Sequence, residues 1–367
     1  MIIGAMKRTT RRIIFYCLAL LFAVAGPLAV LTSLGYTFRF STATFESTGG
    51  IFIKSATPRT SVFLDGAFFR ETGFLTGSTL MTDIAPGTHH VRLERQGFRP
   101  WTKTVTVAPT EVTEFRDVFL VPFEPLSATS TRQELAAVQA TSTPTHTFSL
   151  DKKNRLRIAE NRTSRVVAEN VHSFTPTEDG AFFVGQNGFL ARFDADSQNV
   201  ETVGRPGFFL DREPFRFAVS DHFLAIIDSS GGLFLYDAAA GAVRPIASDT
   251  QEVRFDSTEE KLLIVKEQSI DMLWLADSER QPFQKRDTME TVAQIPDTIR
   301  EAYWCYGTEQ HAIYRTRAGV FIAETDTRGG SNISELIAGP VDEIITSSLA
   351  PSTIFYRKGG TLYKIDL

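Results

Sequence analysis

From His172 onward one pattern recurs: a short strand-like run, a turn, an apolar run, a second turn, a run ending in Asp or another polar residue, a third turn and a fourth run. His172–Gly180 leads into AFFVGQNGFLARFDADSQNVETV, Arg216–Asp221 into HFLAIIDSSGGLFLYD, and Val253–Thr258 into EEKLLIVKEQSIDMLWLAD. Ala302–Gly307 leads into TEQHAIYRTRAGVFIAETDT, and Ile344–Ser348 precedes PSTIFYRKGGTLYKIDL. The runs are rich in Val, Ile, Leu and Phe and have strand length, bounded by Gly, Asp, Ser and Pro. The units start about 38 to 48 residues apart, which is the length of a four-stranded sheet with its turns. One such unit cannot bury its faces alone, so successive units have to stack.

Five units are visible, and Phe148–Ala168 supplies a sixth. The chain is therefore expected to be mainly β, with residues 147–367 forming a β-propeller-like domain of about five to six blades. This region resembles a divergent WD40-like propeller, although no unit carries a clean Trp-Asp or Gly-His signature. A pair of β-sandwiches is the competing architecture.

The other end of the chain is of a different kind. Residues 13–36, IIFYCLALLFAVAGPLAVLTSLGY, contain no charge and are long enough to cross a bilayer core of about 30 Å as a helix. Residues 1–12 carry Lys7, Arg8, Arg11 and Arg12 and no acid. Basic residues beside a first apolar segment stay cytoplasmic, so a single-pass membrane protein is expected, with its N-terminus inside and everything after residue 36 extracytoplasmic. Ala23-Val24-Ala25 resembles a signal-peptide cleavage site, but the apolar character runs on through Pro27–Leu34 and an uncleaved anchor is preferred. Cys17 lies in this segment and Cys305 in a distant strand, so the exported part is expected to hold together without a disulfide.

Between the two ends lie a polar stalk (37–48), a small β domain (49–123) and a Ser/Thr/Pro linker (124–146) with a helix expected at Arg132–Ala140. The β domain holds IFIKS, SVFLDG, HHVRLERQGF, TKTVTVAP and RDVFLVP as antiparallel strands. In TKTVTV the alternation places Val105 and Val107 on one face with Trp101. Asp65-Gly66 and Pro86-Gly87 are turn dipeptides in which glycine accepts a positive φ, and Gly97 is a third structural turn. Gly50-Ile51-Phe52-Ile53, Val62–Gly66, Ile84–Val91, Gly97–Trp101 and Val105-Thr106-Val107 occur in the order and spacing of the PEGA domain, which residues 49–123 resemble. At the tetrapeptide that names that family the chain has Pro58-Arg59-Thr60-Ser61. The resemblance implies a small β-sandwich in an envelope protein, often beside a membrane segment, with no catalytic residue.

Chemistry is sparse. His89-His90 is the one histidine pair, and strand neighbours point to opposite faces, so a surface position is preferred to a metal site. Asp194-Ala-Asp196-Ser-Gln198-Asn199 begins like a calcium loop but lacks its central Gly and distal Glu, and a hairpin turn is preferred. There is no nucleophile elbow, phosphate loop, zinc-protease motif or dinucleotide fingerprint. No catalytic residue, cofactor site or metal site is expected. With 38 Lys and Arg against 43 Asp and Glu, and four of those cations before the anchor, the exported part is acidic and a poor nucleic-acid binder. Of the 30 phenylalanines most sit in strands, as core. Phe208 and Phe209, after Pro206-Gly207, are the candidates for an exposed contact surface. The expected function is that of a membrane-anchored, non-enzymatic envelope protein binding a partner protein or cell-wall glycan. The alternative is an extracytoplasmic propeller hydrolase or lyase.

Overall fold

The computed structural model describes residues 8–33, 35–39, 44–138, 146–160, 163–204, 214–307 and 309–367. They divide into two bodies: Met1–Leu120 with Arg328–Gly330, and Val121–Thr327 with Ser331–Leu367.

The first body opens with the helix Arg8–Ser33, of which Arg8–Thr32 is long and apolar enough to cross a membrane and has no part buried in protein. A signal sequence has the same character. A two-stranded ribbon follows, Tyr36–Arg39 with Thr44–Ser47. Beyond it two sheets enclose a core of Ile51, Ile53, Val62, Met81, Val91, Leu93, Trp101 and Phe115. One sheet has Gly49–Ser55 in its centre, antiparallel to Ser78–Ile84 and parallel to Val112–Val118. The other runs Ala67–Glu71, Ser61–Leu64, Gly87–Glu94, Trp101–Val107, all antiparallel. Trp101, Val105 and Val107 do share the buried face of their strand. Lys103 faces inward with them, its ammonium 6.0 Å from the centre of the Phe115 ring.

Two expectations are corrected in this body. The domain is not wholly antiparallel, because Val112–Val118 closes the sheet beside the entering strand and runs the same way. A parallel pair needs a long crossover, and the intervening strands supply it. That last strand also ends at Val118, so FLVP of the expected run RDVFLVP lies beyond it.

The second body contains, among the described residues, six antiparallel sheets in chain order. Three strands form the first, Thr147–Leu150, Leu156–Glu160 and Thr163–Ala168. Four four-stranded meanders follow, over 171–204, 216–247, 250–294 and 301–338. In the meanders the first strand of one sheet lies near the first strand of the next, as Arg216–Val219 does to Thr250–Phe255 and that strand to Glu301–Trp304. The arrangement is propeller-like, with the first strands innermost. Middle strands such as Phe223–Ile227 and Leu233–Asp237 are buried at every residue. The sheets of 171–204, 216–247 and 250–294 each share an apolar core with the sheet before and the sheet after, which explains continuous apolar runs where a half-exposed sheet would alternate. Phe182 and Phe234 are buried in one of these interfaces, and Phe355 is buried in the final sheet.

The final sheet has the order Ser127–Thr129, Thr361–Asp366, Thr353–Lys358, Glu343–Ile345. The chain's last strand thus pairs with a strand from the start of the body, Ser127 opposite Ile365 and Thr129 opposite Tyr363. This pairing clasps the two ends of the body together, whereas Thr147–Leu150 pairs with Leu156–Glu160 in a sheet of its own. Directly after the clasp comes the helix Arg132–Val138. Thr131 Oγ1 accepts the amide of Glu134 at 3.1 Å, and the Glu134 carboxylate accepts the amide of Thr131 at 3.1 Å. This capping box fixes the helix start, and Leu135 packs on Phe355 and Leu362. Residues 139 and 140 of the expected helix lie outside the described residues.

Candidate functional site

In the first body the turns set the local geometry. Asp65 and Gly66 have φ of 50° and 83°, and Leu64 pairs with Ala67 across them. Two positive values in a two-residue hairpin make a type I′ turn. Gly87 and Gly97 have φ of 137° and 86°, and a Cβ at Gly66, Gly87 or Gly97 would meet nothing within 4 Å. Their requirement is therefore the backbone angle alone. Gly77 differs, because at φ 62° its Cβ would also lie 2.2 Å from the Ser55 carbonyl oxygen. Gly87→Ala is expected to cost about 1–2 kcal/mol, and Gly77→Ala more than about 3 kcal/mol, since strain and overlap combine. Equal urea midpoints for the two variants would contradict this ranking.

Asp65 also organises the histidine pair. Its carboxylate accepts the amide of His90 at 2.8 Å, and the protonated His89 ring donates from Nδ1 to that carboxylate and from Nε2 to the Ala85 carbonyl, both at 2.7 Å. His90 turns away to Thr104, 3.3 Å from its Nδ1. The two rings do not converge, and among the described residues no group of three or more His, Cys, Asp or Glu is placed to hold a metal ion. Arg59, in the divergent tetrapeptide, has φ 55° and lays its guanidinium 4.4 Å over the Phe74 ring.

In the second body the turns between first and second strands form one end of the propeller-like array. There a cavity of about 510 Å³ lies between the sheets of 171–204 and 216–247. Its floor is aromatic, from Phe182, Phe223 and Tyr236, with Phe182 and Tyr236 edge to face at 5.8 Å. Its walls are polar, from Glu178, Asp179, Arg192, Asp221 and His222. The rim is tied to the next sheet by Glu259, whose carboxylate accepts the Asp221 amide at 2.5 Å and faces His222 Nδ1 at 2.6 Å. Glu309 repeats the device one sheet further on, accepting the Ser257 amide at 2.9 Å. Both residues have positive φ, 57° and 49°. The Glu259 hydrogen bond and charge raise the His222 pKa above its ordinary value. Burial pushes the Glu259 carboxyl up, but donors from His222, Asp221 and Ser220 bring it net below its ordinary value. Sequence reading missed these ties. The signal was present as Thr-Glu ahead of a second strand, at Thr258-Glu259 and Thr308-Glu309.

The calcium-like run is a hairpin turn. Asp194 pairs with Asn199 across it, and the Asp194 carboxylate accepts the Ser197 amide and hydroxyl at 2.7 and 2.8 Å. Those donors hold its pKa below the ordinary aspartate value. Asp237 does the same for the amides of Ala239 and Ala240. Phe208 and Phe209 lie outside the described residues. Along the innermost strands the carboxylates are matched by arginines: Glu252 with Arg254, Glu301 with Arg315, Glu343 with Arg357. The last two pairs occupy equivalent positions in successive sheets, directly across the first two strands.

The small sandwich, with its type I′ Asp-Gly hairpin and its Pro-Gly turn leading into a central strand, now has a family. Residues 48–119 match the PEGA domain. No sequence among curated proteins matches the chain. Among solved structures it is similar to a gluconolactonase from Xanthomonas campestris, at 13% identity and a TM-score of 0.33, over 66% of this chain and 95% of that one. It is similar to Kluyveromyces lactis Hsv2 at 11% identity and a TM-score of 0.38, over 56% and 65%. It is also similar to an auxiliary nutrient binding protein from Bacteroides thetaiotaomicron, at 10% and 0.31, over 84% and 90%.

The PEGA domain's Asp65–His89 pair has a pH signature. Burial lowers the His89 pKa, but the Asp65 hydrogen bond, the Ala85 carbonyl and the Asp65 charge outweigh it, and the net shift is upward from 6.5. A raised folded value means that the histidine's stabilisation is complete below about pH 6.5 and is lost as pH rises through the folded value. Asp65 shifts the other way, down from 3.8, through the hydrogen bonds of His89 and His90. Its contribution is present above about pH 3.8 and lost as pH falls through the lowered value. The melting temperature of the PEGA domain is therefore expected to fall between about pH 6 and pH 8, and His89→Gln to flatten that slope. A slope equal in the two proteins would remove the pair from the account.

Proposed function

We propose that the protein is a single-pass membrane protein whose PEGA domain and propeller-like body stand outside the cytoplasm, and that the second body binds a cell-wall glycan or a partner protein without turning it over. The cavity over Phe182, Phe223 and Tyr236 is the observation that carries this reading. Its size suits a small ligand or one ring of a chain, and an apolar floor with a few polar groups on the walls is the composition of a binding pocket. Aromatic edges support sugar C–H groups or apolar side chains, while Glu178, Asp179, Arg192 and His222 supply acceptors and donors for hydroxyls or amides. The apolar helix with Arg8, Arg11 and Arg12 in its first turns supports the orientation.

Sedimentation of the chain from Thr37 onward with purified cell-wall sacculi tests the glycan arm. Binding is expected, weakened about tenfold or more by the exposed-wall variant Asp179→Ala together with Glu178→Ala, at unchanged melting temperature. Soluble sugar or peptide fragments released from the sediment would establish an enzyme and overturn the non-enzymatic reading. If the sacculi are not bound, capture from solubilised membranes by the wild type and not by the double variant would support the protein arm. A reporter active only outside the cytoplasm, fused after Leu367, is expected to give signal, and activity of a cytoplasmic one would reverse the orientation.

A further inference from the structure

The second body has another cavity, at the opposite end of the innermost strands. It encloses about 620 Å³ and is lined by Arg216, Gln251, Glu252, Arg254 and Arg300 over an apolar floor that includes Phe217 and Val265. Arg216 begins its strand and Arg300 immediately precedes the strand Glu301–Trp304, so the wall comes from the same end of three successive sheets. None of these residues lines the aromatic cavity, which sits at the turns that end the first strands.

Three guanidiniums face one carboxylate here. Arg254 is committed: it pairs with Glu252, donates from Nε to the Ala302 carbonyl at 2.8 Å, and stacks 3.8 Å over the Tyr303 ring. Arg216 donates to the backbone carbonyls of Gln251 and Thr250. Those acceptors are neutral, so they fix the side chain without cancelling its charge. Arg300 donates its backbone amide to the Arg315 carbonyl at 2.9 Å, which places its Cα, while its guanidinium makes no hydrogen bond or ion pair among the described residues. Burial and the nearby Glu301 push the Glu252 carboxyl up despite Arg254 and Arg216.

The wall therefore has two cations in surplus, in a concave polar setting, on a chain whose net charge is −5. A structural role leaves that surplus unexplained, because the other inner carboxylates and arginines are matched one to one. Concave surfaces focus the field of the charges that line them. Guanidinium is also the side chain whose planar donors fit carboxylate and phosphate oxygens two at a time. We infer that this cavity is a binding site for an oxyanion, a carboxylate or phosphate carried on a small polar ligand, held between Arg216 and Arg300 with the Gln251 amide as a further donor. The inference does not depend on the reading of the aromatic cavity.

Titration calorimetry on the full chain in detergent micelles tests it, with inorganic phosphate, glucuronate and glucose as probes. Phosphate, glucuronate or both are expected to bind, and glucose is not; which of the two anions binds assigns the source of the oxyanion. Affinity should fall as salt rises. Arg300→Gln should weaken binding about tenfold or more with no change in melting temperature, because that guanidinium holds nothing in the fold. Arg300→Lys, which keeps the charge, should recover part of the loss. The aromatic-cavity variant Asp179→Ala should leave anion affinity unchanged, which separates failure here from failure of the glycan reading. Failure of both anions to bind, or equal affinity in wild type and Arg300→Gln, would overturn the site.

Discussion

Removal of Thr361–Leu367 is expected to unfold the whole second body and not merely to fray its end. The strand Thr361–Asp366 lies inside its sheet, with Thr353–Lys358 on one side and Ser127–Thr129 on the other. Its loss deletes two ladders at once, and two core side chains, Leu362 and Ile365, go with it. Large buried aliphatics contribute about 2–5 kcal/mol each. Together with the ladders this reaches the about 5–15 kcal/mol that holds an ordinary domain folded. The cut also bares the edge of Thr353–Lys358, and an unpaired strand edge recruits other chains. Aggregation on size exclusion and loss of the cooperative melt are the expected readouts. A proline at Ala128, which lies opposite Lys364, should act in the same direction with the chain intact, because proline brings no N–H to a ladder. A truncated chain that stays monomeric with an unchanged melting curve would show that the clasp does not hold the two ends together.

Trp304→Ala is expected to be the most damaging single substitution in the second body, at about 4–6 kcal/mol. Trp304 is fully buried. Its Nε1–H donates to the Arg254 carbonyl at 2.9 Å, which ties one inner strand to the next. Its ring also covers a buried cation: Lys261 is only 3% exposed, with its ammonium 5.3 Å from the Trp304 ring and 5.7 Å from that of Trp274. The ammonium donates to the Glu309 carbonyl at 2.6 Å. Alanine would leave a large cavity, one hydrogen bond fewer at the Arg254 carbonyl and an ammonium stripped of one aromatic face. Trp304→Phe keeps most of the volume and should lose only about 1–3 kcal/mol, mainly through the missing N–H. Urea midpoints of the two variants separate packing from polar loss. A Trp304→Ala protein within about 1 kcal/mol of wild type would show that this residue is not a keystone of the inner strands.

What the sequence determined by itself is what local chemistry dictates. Asp65-Gly66 specifies its hairpin because both residues tolerate positive φ. Runs such as LFLYD and FLAII specify middle strands because only a strand covered on both faces buries every residue. The uncharged segment beginning at Ile13 specifies a long apolar helix because its apolar run has the length of a bilayer core, and the helix continues through Pro27. Thr131 and Glu134 specify a helix start through a reciprocal pair of hydrogen bonds.

Only the tertiary structure decided the rest. Ser127–Thr129 is three exposed residues with no strand signal, and it is a strand because Thr361–Asp366 offers it a free row of backbone groups. Val112–Val118 runs parallel to Gly49–Ser55 because of where the chain has been, not because of its composition. Glu259 and Glu309 read as ordinary turn acids, and they become ties between sheets only when stacking brings Asp221 and Ser257 within reach. The surplus of arginine at the inner strands is likewise invisible along the chain, since Arg216, Arg254 and Arg300 are far apart in sequence and meet on one wall. Pairing, stacking and charge balance depend on residues distant in the chain, and local composition carries no record of which partner arrives.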